Sequence, residues 1–292
     1  MRGKFRNKRF SLPLMVSALL VAVVLAFYYG IKKPSEAIPI DGSFEVHFID
    51  VGQADCALIM CDGKNMLIDA GNKEDSNLVY TYLKKYDIKH LDYVIATHLH
   101  EDHAGGMGGA LNAATPGIVY CPTSDSDSYY FKTIEKYVKR SNSKILVPKA
   151  GESFMLGGAR VDILGCNFAE GENNTSIVLK ITYGETSFLF MGDAEREAED
   201  VLVNSGIDLS ATVLKVGHHG SNTSTGYVFL RSVMPKYGVI SVEKGNEYGH
   251  PHVEPLSRLK DADVEIYRTD IHGDIICKSD GVDVTFTTSK KK

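Results

Sequence analysis

The sequence predicts an α/β fold in which two β-sheets pack face to face beneath outer helices. Strand-like runs arrive as hairpins in both halves of the chain, within residues 44–69 and again within residues 154–191. Segments with helical spacing of apolar residues lie between and after these hairpins, at residues 78–86, 129–139 and 195–204. Because a sheet and a helix must each bury an apolar face, this order favours two stacked sheets covered by helices.

The individual elements follow from apolar runs bounded by turn residues. Strands are predicted at residues 44–50, 57–60, 65–69, 91–96, 118–121, 145–147, 154–156, 160–164, 175–183, 186–191, 212–216, 238–242, 264–268, 274–278 and 282–287. Further helices are predicted at residues 104–113, 227–233 and 255–260.

Composition fits one sizeable domain, alone or with an appendage. The chain has 292 residues, of which 43% are hydrophobic and 24% charged, and this is enough to bury a large core. A formal net charge of -5 argues against a basic protein that coats nucleic acid without specificity. It does not argue against a metal-dependent nuclease, because bound cations add positive charge that the count omits.

The five cysteines are an odd number at scattered spacings, with no CxxC motif and no disulfide framework. Cys56 and Cys61 are close enough in sequence to pair. The sequence nevertheless favours thiols that act as small buried apolar side chains.

The N-terminal segment, residues 1–33, is predicted to be a membrane anchor. Its first nine residues hold five Lys or Arg and no acid, and residues 10–30 carry no charge. A basic head before an apolar run of about 20 residues fits an uncleaved signal anchor or a long signal peptide. The run ends in Phe27-Tyr28-Tyr29 instead of small residues, which favours the anchor. After a linker at residues 34–42, the domain at residues 43–292 is expected outside the membrane, or secreted if the segment is cleaved.

A cluster of metal-binding side chains follows the predicted strand at residues 91–96. Three imidazoles and the Asp102 carboxylate fall within six residues, at His98, His100, Asp102 and His103. The Gly105-Gly106 pair comes next and allows a tight turn into a helix close to the cluster. Zinc accepts this ligand mix, and manganese accepts it at more oxygen-rich sites. The alternative is a solvated loop that happens to be rich in His, and the concentration of ligands around one Asp argues against it.

Three later segments repeat the order of apolar strand, glycine and ligand. They contribute a carboxylate and two pairs of imidazoles, at Asp193, at His218-His219 and at His250 with His252. Taken singly, Asp193 is equally a helix N-cap and His252 equally a surface residue. Together with the first cluster they supply ligands for two adjacent cations, and the lone carboxylate is suited to bridge metals roughly 3.5 to 4 Å apart.

These motifs resemble the signature of metallo-β-lactamase-fold hydrolases, which combines the His98 to His103 pattern with Gly192-Asp193 and a later His. Five segments look more closely like the soluble domain of ComEC DNA-uptake proteins, at residues 50–55, 97–106, 172–176, 214–221 and 246–252. The resemblance spans residues 43–287. Because the chain has one hydrophobic segment, it resembles a free-standing version of that domain without the multi-span channel.

The resemblance implies a four-layer αββα sandwich of the metallo-β-lactamase type, with two divalent metal ions (zinc, manganese or magnesium) at one edge. The resemblance implies that His98 and His100 bind the first metal and that Asp102 and His103 bind the second. Asp193 would bridge the two metals, and one of His218 or His219 would complete a site. Spacing does not decide between the last two. Where many relatives place a third His for the first metal, this chain has Asn173-Asn174. Asn is a weak neutral ligand, so the first metal is expected to bind less tightly or to be manganese or magnesium.

The resemblance also implies hydrolysis by a metal-activated water, with DNA outside the membrane as the leading phosphodiester substrate. Asp102 is expected to orient that water as well as to bind metal, and His250 to hold a phosphate or protonate the leaving group. Further candidates for substrate contact are Lys215, Ser221, Asn246 and His252. Asp50 and Asp55 are expected to accept hydrogen bonds from metal-bound imidazoles, with a capped turn as the alternative.

Two other functions stay open at this point. One is hydrolysis of another phosphoester, such as a choline phosphate on the cell wall. The other is a non-catalytic extracellular binding domain with a degenerate metal site, which the Asn173-Asn174 pair would explain. The sequence predicts contact with the membrane through residues 1–33 and names no protein partner.

Overall fold

A computed structural model describes residues 42–290 of the chain. The predicted anchor at residues 1–33 and nearly all of the predicted linker lie outside this range. Within residues 42–290, no helix is both long and apolar enough to cross a bilayer.

The first sheet has eight strands among the described residues. They are β1 (Phe44–Phe48), β2 (Ala57–Cys61), β3 (Lys64–Ile68), β4 (His90–Ile95), β5 (Thr115–Tyr120), β6 (Lys144–Leu146), β14 (Ile275–Ser279) and β15 (Val284–Thr288), in the order β15-β14-β1-β2-β3-β4-β5-β6. Pairing is antiparallel from β15 to β3 and parallel from β3 to β6.

The second sheet has seven strands in the same part of the chain. They are β7 (Ser153–Leu156), β8 (Ala159–Gly165), β9 (Val178–Tyr183), β10 (Thr186–Phe190), β11 (Val213–Lys215), β12 (Tyr237–Ile240) and β13 (Glu265–Arg268), in the order β13-β12-β11-β10-β9-β8-β7. Pairing is antiparallel from β7 to β10 and parallel from β10 to β13.

The described helices are α1 (Ser76–Lys85), α2 (Glu101–Ala104), α3 (Met107–Ala113), α4 (Tyr129–Arg140), α5 (Arg196–Asn204), α6 (Tyr227–Val233), α7 (Val253–Asp261) and α8 (Thr269–His272). Short 3₁₀ turns lie at Lys73–Asp75, Asn173–Thr175 and Gly217–Gly220. The first sheet shares a buried cluster with α1, α3 and α4, and the second sheet shares another with α5, α6 and α7. The predicted αββα layering is therefore confirmed for the described residues.

The core between the sheets comes from alternate residues of facing strands. Phe44 and Phe48 of β1 pack against Phe188 and Phe190 of β10, respectively, with ring centroids 5.0 and 5.9 Å apart. The residue before Phe48 points the other way, because successive side chains of a strand face opposite sides. His47 accordingly lies buried beneath α1, with Nδ1 2.9 Å from the Tyr82 hydroxyl.

Strand direction places the ligand-rich segments together. In each sheet the parallel strands carry polar residues just beyond their carboxyl ends: Asp69 after β3, His98 after β4, Asp193 after β10, His219 after β11 and Ser241 after β12. Since the carboxyl ends of parallel strands meet at one edge of a sheet, these residues gather there. Contacts between His103 and Asp193 show that the two sheets bring their edges to the same place.

The predicted elements are present, with differences at the site and near the C-terminus. The helix predicted at residues 104–113 begins later, at Met107, as α3, and the short helix α2 before it was not predicted. The two are separate because the chain bends at Gly105-Gly106 and packs against the backbone of Ala70 and Asn72. The short helix α8 has no apolar periodicity and was not predicted. All five cysteines are free and four of them are buried, as expected from their spacing.

Candidate metal centre

The first pair of imidazoles, His98 and His100 (the His98 pair), lies in the loop between β4 and α2. His98 Nε2 and His100 Nδ1 converge to 3.0 Å. His98 is fully buried, and burial lowers its pKa well below the ordinary value of a histidine. Its imidazole is therefore neutral, which is the form that binds a cation.

The second set (the Asp102 group) comprises Asp102, His103, Asp193 and His219, whose ligand atoms all lie within 4.8 Å of one another. His219 Nε2 is 3.1 Å from Asp102 Oδ2 and 3.6 Å from Asp193 Oδ2. His103 Nε2 is 3.2 Å from Asp193 Oδ1. Of the two candidates His218 and His219, the fold thus brings His219 into the group. His218 lies at the margin of the group, and its Nε2 is 3.7 Å from Asp193 Oδ2.

Each imidazole of these sets has its other ring nitrogen next to an oxygen. His98 Nδ1 lies 3.2 Å from Thr97 Oγ1, His100 Nε2 lies 3.4 Å from Glu172 Oε2, and His219 Nδ1 lies 3.0 Å from the Ser241 carbonyl. Metal-binding histidines commonly donate their second N–H to such an acceptor, which fixes the tautomer and the ring orientation.

Asp69 serves His103 in the same way and was not predicted. Its carboxylate accepts from the Thr97 N–H (2.8 Å) and hydroxyl (2.7 Å), and its Oδ2 lies 2.8 Å from His103 Nδ1. The sequence shows Asp69 only as the end of a hairpin. The available signal was an Asp directly beyond a buried strand, the same position that the other ligand segments occupy.

Asp193 owes its position to the glycine before it. Gly192 has a φ of 53°, and a Cβ there would lie 2.9 Å from Ser176 Oγ and 3.0 Å from Thr97 Cβ. This close approach lets the Asp193 N–H donate to Ser176 Oγ at 3.0 Å. The carboxylate is thereby held against the imidazoles of the opposite sheet.

The His218-His219 turn is built from left-handed backbone, with φ values of 49° and 51°. This conformation costs roughly 1–2 kcal/mol for a residue with a Cβ, and it persists where surrounding contacts impose it. Here it brings both rings to the same cavity, where His218 lies 5.5 Å from the His250 ring. His218 Nδ1 lies 3.3 Å from Glu195 Oε1 and 3.2 Å from Thr223 Oγ1.

A cavity of about 340 Å³ opens onto both sets of candidate ligands. Its lining residues come from every ligand segment: Gln53, His100, Glu101, Asp102, Asn173, Asp193, His218, His219, Tyr248 and His250. A second cavity, of about 490 Å³, adjoins it and is strongly acidic, with Asp50, Glu74, Asp75, Glu101, Asp102, Glu243 and Glu247 among its lining residues. A larger apolar cavity of about 800 Å³, beside α5, includes none of the predicted site residues.

His250 lies in the cavity as predicted, and its charge state narrows its role. Burial and the neighbouring His219 and His218 lower its pKa to about 4. Its imidazole is therefore neutral near pH 7, which disfavours protonation of a leaving group and leaves hydrogen bonding to a substrate. Gln53 Nε2 lies 3.4 Å from His250 Nδ1, and Tyr248 stacks on the ring at a centroid distance of 5.7 Å.

Lys215 requires a correction, because it does not face the cavity. It is 4% exposed, and its Nζ lies 2.8 Å from Asp55 Oδ2. Asp55 in turn lies 3.4 Å from His219 Nδ1. Burial alone would raise the pKa of the Asp55 carboxyl, but the positive charges of Lys215 and His219 lower it. Lys215 thus balances the charge of a carboxylate behind His219 and cannot hold a substrate phosphate.

Three other residues predicted to contact substrate instead hold loops in place. The Asn246 amide donates to the His250 carbonyl at 2.7 Å and accepts from the His250 N–H at 3.0 Å. His252 Nδ1 accepts from a backbone N–H at 3.0 Å, and buried Ser221 Oγ lies 3.0 Å from Thr223 Oγ1. Their polar atoms support the backbone that carries His218, His219 and His250.

Asp50 also differs from its predicted role, since its carboxylate Oδ2 lies 2.9 Å from Lys290 Nζ. Of the two asparagines, Asn174 is structural: its Oδ1 accepts from the Glu195 N–H at 3.0 Å and its amide donates to the Glu170 carbonyl at 3.3 Å. Asn173 lines the cavity.

The charges of the Asp102 group fit a divalent cation. Burial alone would raise the pKa of the Asp193 carboxyl, but the nearby charges of His103 and His219 hold it well below the usual range. The carboxylates of Asp193, Asp102 and Asp69 raise the pKa of His103 well above normal, against the effect of burial. Among the described residues, His103 Nε2 and Asp193 Oδ1 are buried and have no hydrogen-bond partner of good geometry besides their 3.2 Å approach to each other. Carboxylate oxygens and imidazole nitrogens that converge in this way match the donor set of a metal site.

Comparison with known proteins agrees with this fold. A family model described as the metallo-β-lactamase superfamily matches residues 49–243, and the chain belongs to that superfamily. Its members are mostly metal-dependent hydrolases. The metallo-β-lactamase fold protein YhfI from Bacillus subtilis superposes with a TM-score of 0.54 at 15% sequence identity, covering 77% of this chain and 96% of that one.

The chain is also similar to two competence proteins. ComE operon protein 3 of Bacillus subtilis is 29% identical over 251 residues, which cover 79% of this chain and 32% of that protein. Competence protein ComA of Neisseria gonorrhoeae is 27% identical over 280 residues, which cover 90% of this chain and 38% of that protein. The matched region is therefore about a third of each relative's length.

Proposed function

We propose that this protein is a metal-dependent phosphodiesterase that cleaves DNA outside the membrane. The observation that carries the proposal is the position of Asp193, whose carboxylate lies between imidazoles from both sheets beside an open cavity. The similarity to competence proteins supports DNA as the substrate class.

The candidate ligands and His250 would have different roles in this reaction. The His98 pair and the Asp102 group would hold two divalent cations, which when bound polarise a phosphate and lower the pKa of water. Asp102 presents Oδ2 to the cavity side of His219 and is placed to orient a water. Neutral His250 is placed to hydrogen-bond a phosphate oxygen, while Gln53 and Tyr248 keep its ring in position.

The acidic cavity restricts the path of a polyanion. Carboxylates from four segments of the chain line it, and its lining includes no Lys or Arg. Like charges repel a phosphate backbone, so a DNA strand would lie over the side formed by His100, Asn173, His218 and His250.

A cleavage assay tests the proposal. The full chain, purified in detergent, is incubated with single- and double-stranded DNA and Mn²⁺, beside a His98→Ala/Asp102→Ala variant. His90→Ala, an exposed histidine at the start of β4, is the matched control. We expect the wild type and His90→Ala to cleave alike and the double variant to be inactive. Equal background cleavage by all three would refute the proposal.

The acidic cavity favours a second candidate, a phosphoester that carries a cationic group, such as choline phosphate. Carboxylates together with the exposed ring of Tyr248 suit a quaternary ammonium group. A Glu243→Gln/Glu247→Gln variant separates the two candidates because it removes two charges from this cavity. DNA cleavage should rise in this variant if DNA is the substrate. Hydrolysis of p-nitrophenyl phosphorylcholine should fall if the cationic ester is the substrate.

We further propose that residues 1–33 anchor the catalytic domain on the outer side of the membrane. The support is the basic head followed by an uncharged run at residues 10–30. Protease added to intact cells should then remove the domain, and protection of the domain until the cells are lysed would contradict this orientation.

A further inference from the structure

The His98 pair lacks a third ligand of the usual kind. Of the residues that the structure describes, no other His, Cys, Asp or Glu forms a close group with His98 and His100, whereas the Asp102 group has four members. Two imidazoles alone make a weak site for a divalent cation, so another donor is needed at this end of the cavity.

Asn173 follows Glu172, whose Oε2 lies 3.4 Å from His100 Nε2, and it has an unused oxygen. Its Oδ1 is buried and, within the described part of the chain, has no hydrogen-bond partner. Asn173 lines the cavity together with His100 and Asp193. A buried carbonyl oxygen without a donor is unfavourable unless water or a cation satisfies it.

Glu195 determines which way this amide faces. Asn173 Nδ2 donates to Glu195 Oε1 at 3.2 Å. A carboxylate can only accept, so the amide nitrogen must face Glu195 and the oxygen must face away from it. The same Oε1 lies 3.3 Å from His218 Nδ1, and the Glu195 N–H donates to Asn174 Oδ1. One carboxylate thus orients two side chains at the edge of the cavity.

We propose that Glu195 is a positioning residue that presents Asn173 Oδ1 as the third donor to a cation on the His98 pair. A neutral oxygen in place of an imidazole makes this position weaker than the Asp102 group and favours Mn²⁺ or Mg²⁺ over Zn²⁺. The inference rests on the metal centre of the proposed function and is independent of the substrate.

Binding of Mn²⁺ to the full chain tests this role without any cleavage assay. Free Mn²⁺ is followed by its electron paramagnetic resonance signal during titration, which resolves a tight and a weak class of sites. Glu195→Ala and Asn173→Ala should each weaken only the weak class, by about 10- to 100-fold. The Glu195→Ala/Asn173→Ala double variant should lose no more than Asn173→Ala alone, because one residue acts through the other.

Two further variants separate positioning from charge. Glu195→Gln keeps an acceptor for the Asn173 amide and should retain most of the affinity of the weak class. Glu197→Ala removes the same charge from an exposed position two residues away and should leave both classes unchanged. Intact tight binding in every variant shows that each one folds.

Three results would overturn the inference: a single class of sites in the wild type, wild-type binding by Glu195→Ala, or losses that add in the double variant. Absence of DNA cleavage alongside the expected binding pattern would refute the proposed substrate and support the role of Glu195.

Discussion

Asp69 Oδ2 lies 2.8 Å from His103 Nδ1, and both side chains are buried where β3 and β4 end. The carboxylate also accepts two hydrogen bonds from Thr97, so it cannot rotate away. His103 is therefore fixed with Nε2 toward Asp193. This one contact joins a hairpin of the first sheet to the candidate ligands of both sheets.

Replacement of Asp69 should weaken metal binding even though Asp69 belongs to neither the His98 pair nor the Asp102 group. In Asp69→Asn an amide N–H group would face the His103 N–H, or the ring would change tautomer and turn an N–H toward the metal. We expect the affinity of the tight class for Mn²⁺ to fall by about 10- to 100-fold, measured by titration. Asp162→Asn, at an exposed pair with Arg160, is the control and should bind as the wild type does. Equal affinities of the two variants would contradict this account.

Metal affinity should rise with pH. Against the effect of burial, Asp193 and other carboxylates raise the pKa of His103 well above normal and that of His219 to about 10. Near neutrality both rings hold protons that a cation must displace. Each displaced proton makes binding up to about tenfold tighter per pH unit. Calorimetry between pH 6 and 8, in buffers of different ionisation enthalpy, should detect proton release, and a pH-independent affinity would exclude it.

The buried Glu199 should make stability depend on pH at a distance from the metal centre. Its carboxyl accepts from the N–H groups of Thr225 and Gly226 at the start of α6, and burial raises its pKa from 4.5 to about 7. Because the folded-state pKa is the higher one, the stabilisation is present below pH 4.5 and is lost as the pH rises through 7. The expected loss is about 3 kcal/mol in the free energy of unfolding.

Glu199→Gln cannot lose a proton and should lack this dependence. Urea unfolding at pH 4.5, 6 and 8 should therefore show the wild type losing its advantage over the variant as the pH rises. Glu197→Gln, on the exposed side of α5, should follow the wild type. Parallel curves for the wild type and Glu199→Gln would disprove the assignment.

Gly106 should be intolerant of any side chain. A Cβ there would lie 1.9 Å from the Ala70 carbonyl oxygen, where the bend between α2 and α3 presses on the end of β3. Gly106→Ala should cost about 3 kcal/mol of unfolding free energy, as overpacking of a rigid contact does. At Gly108 the nearest atom is a Thr133 methyl carbon at 3.3 Å, so Gly108→Ala should be nearly neutral. Denaturant midpoints compare the two, and a neutral Gly106→Ala would contradict the packing argument.

The strands, most helices and the ligand segments were predictable because local patterns encode them. Periodicity marks a strand or a helix, and an apolar run before Gly and His marks a strand end near a site. The same reasoning misjudged Lys215, since a lysine beside the ligands in sequence can as well point into the core. It also missed Asp69 and Glu195, whose partners lie 34 and 22 residues away in sequence.

By itself, the sequence determined the kinds of ligand and the two-sheet architecture, since residue chemistry and spacing are properties of the chain. Three outcomes came from the tertiary fold alone: His219 joins the Asp102 group, Lys215 neutralises Asp55, and the Asn173 amide nitrogen faces Glu195. Those outcomes depend on which way side chains point when two sheets meet edge to edge. Contacts between distant segments set those directions, and no local pattern carries them.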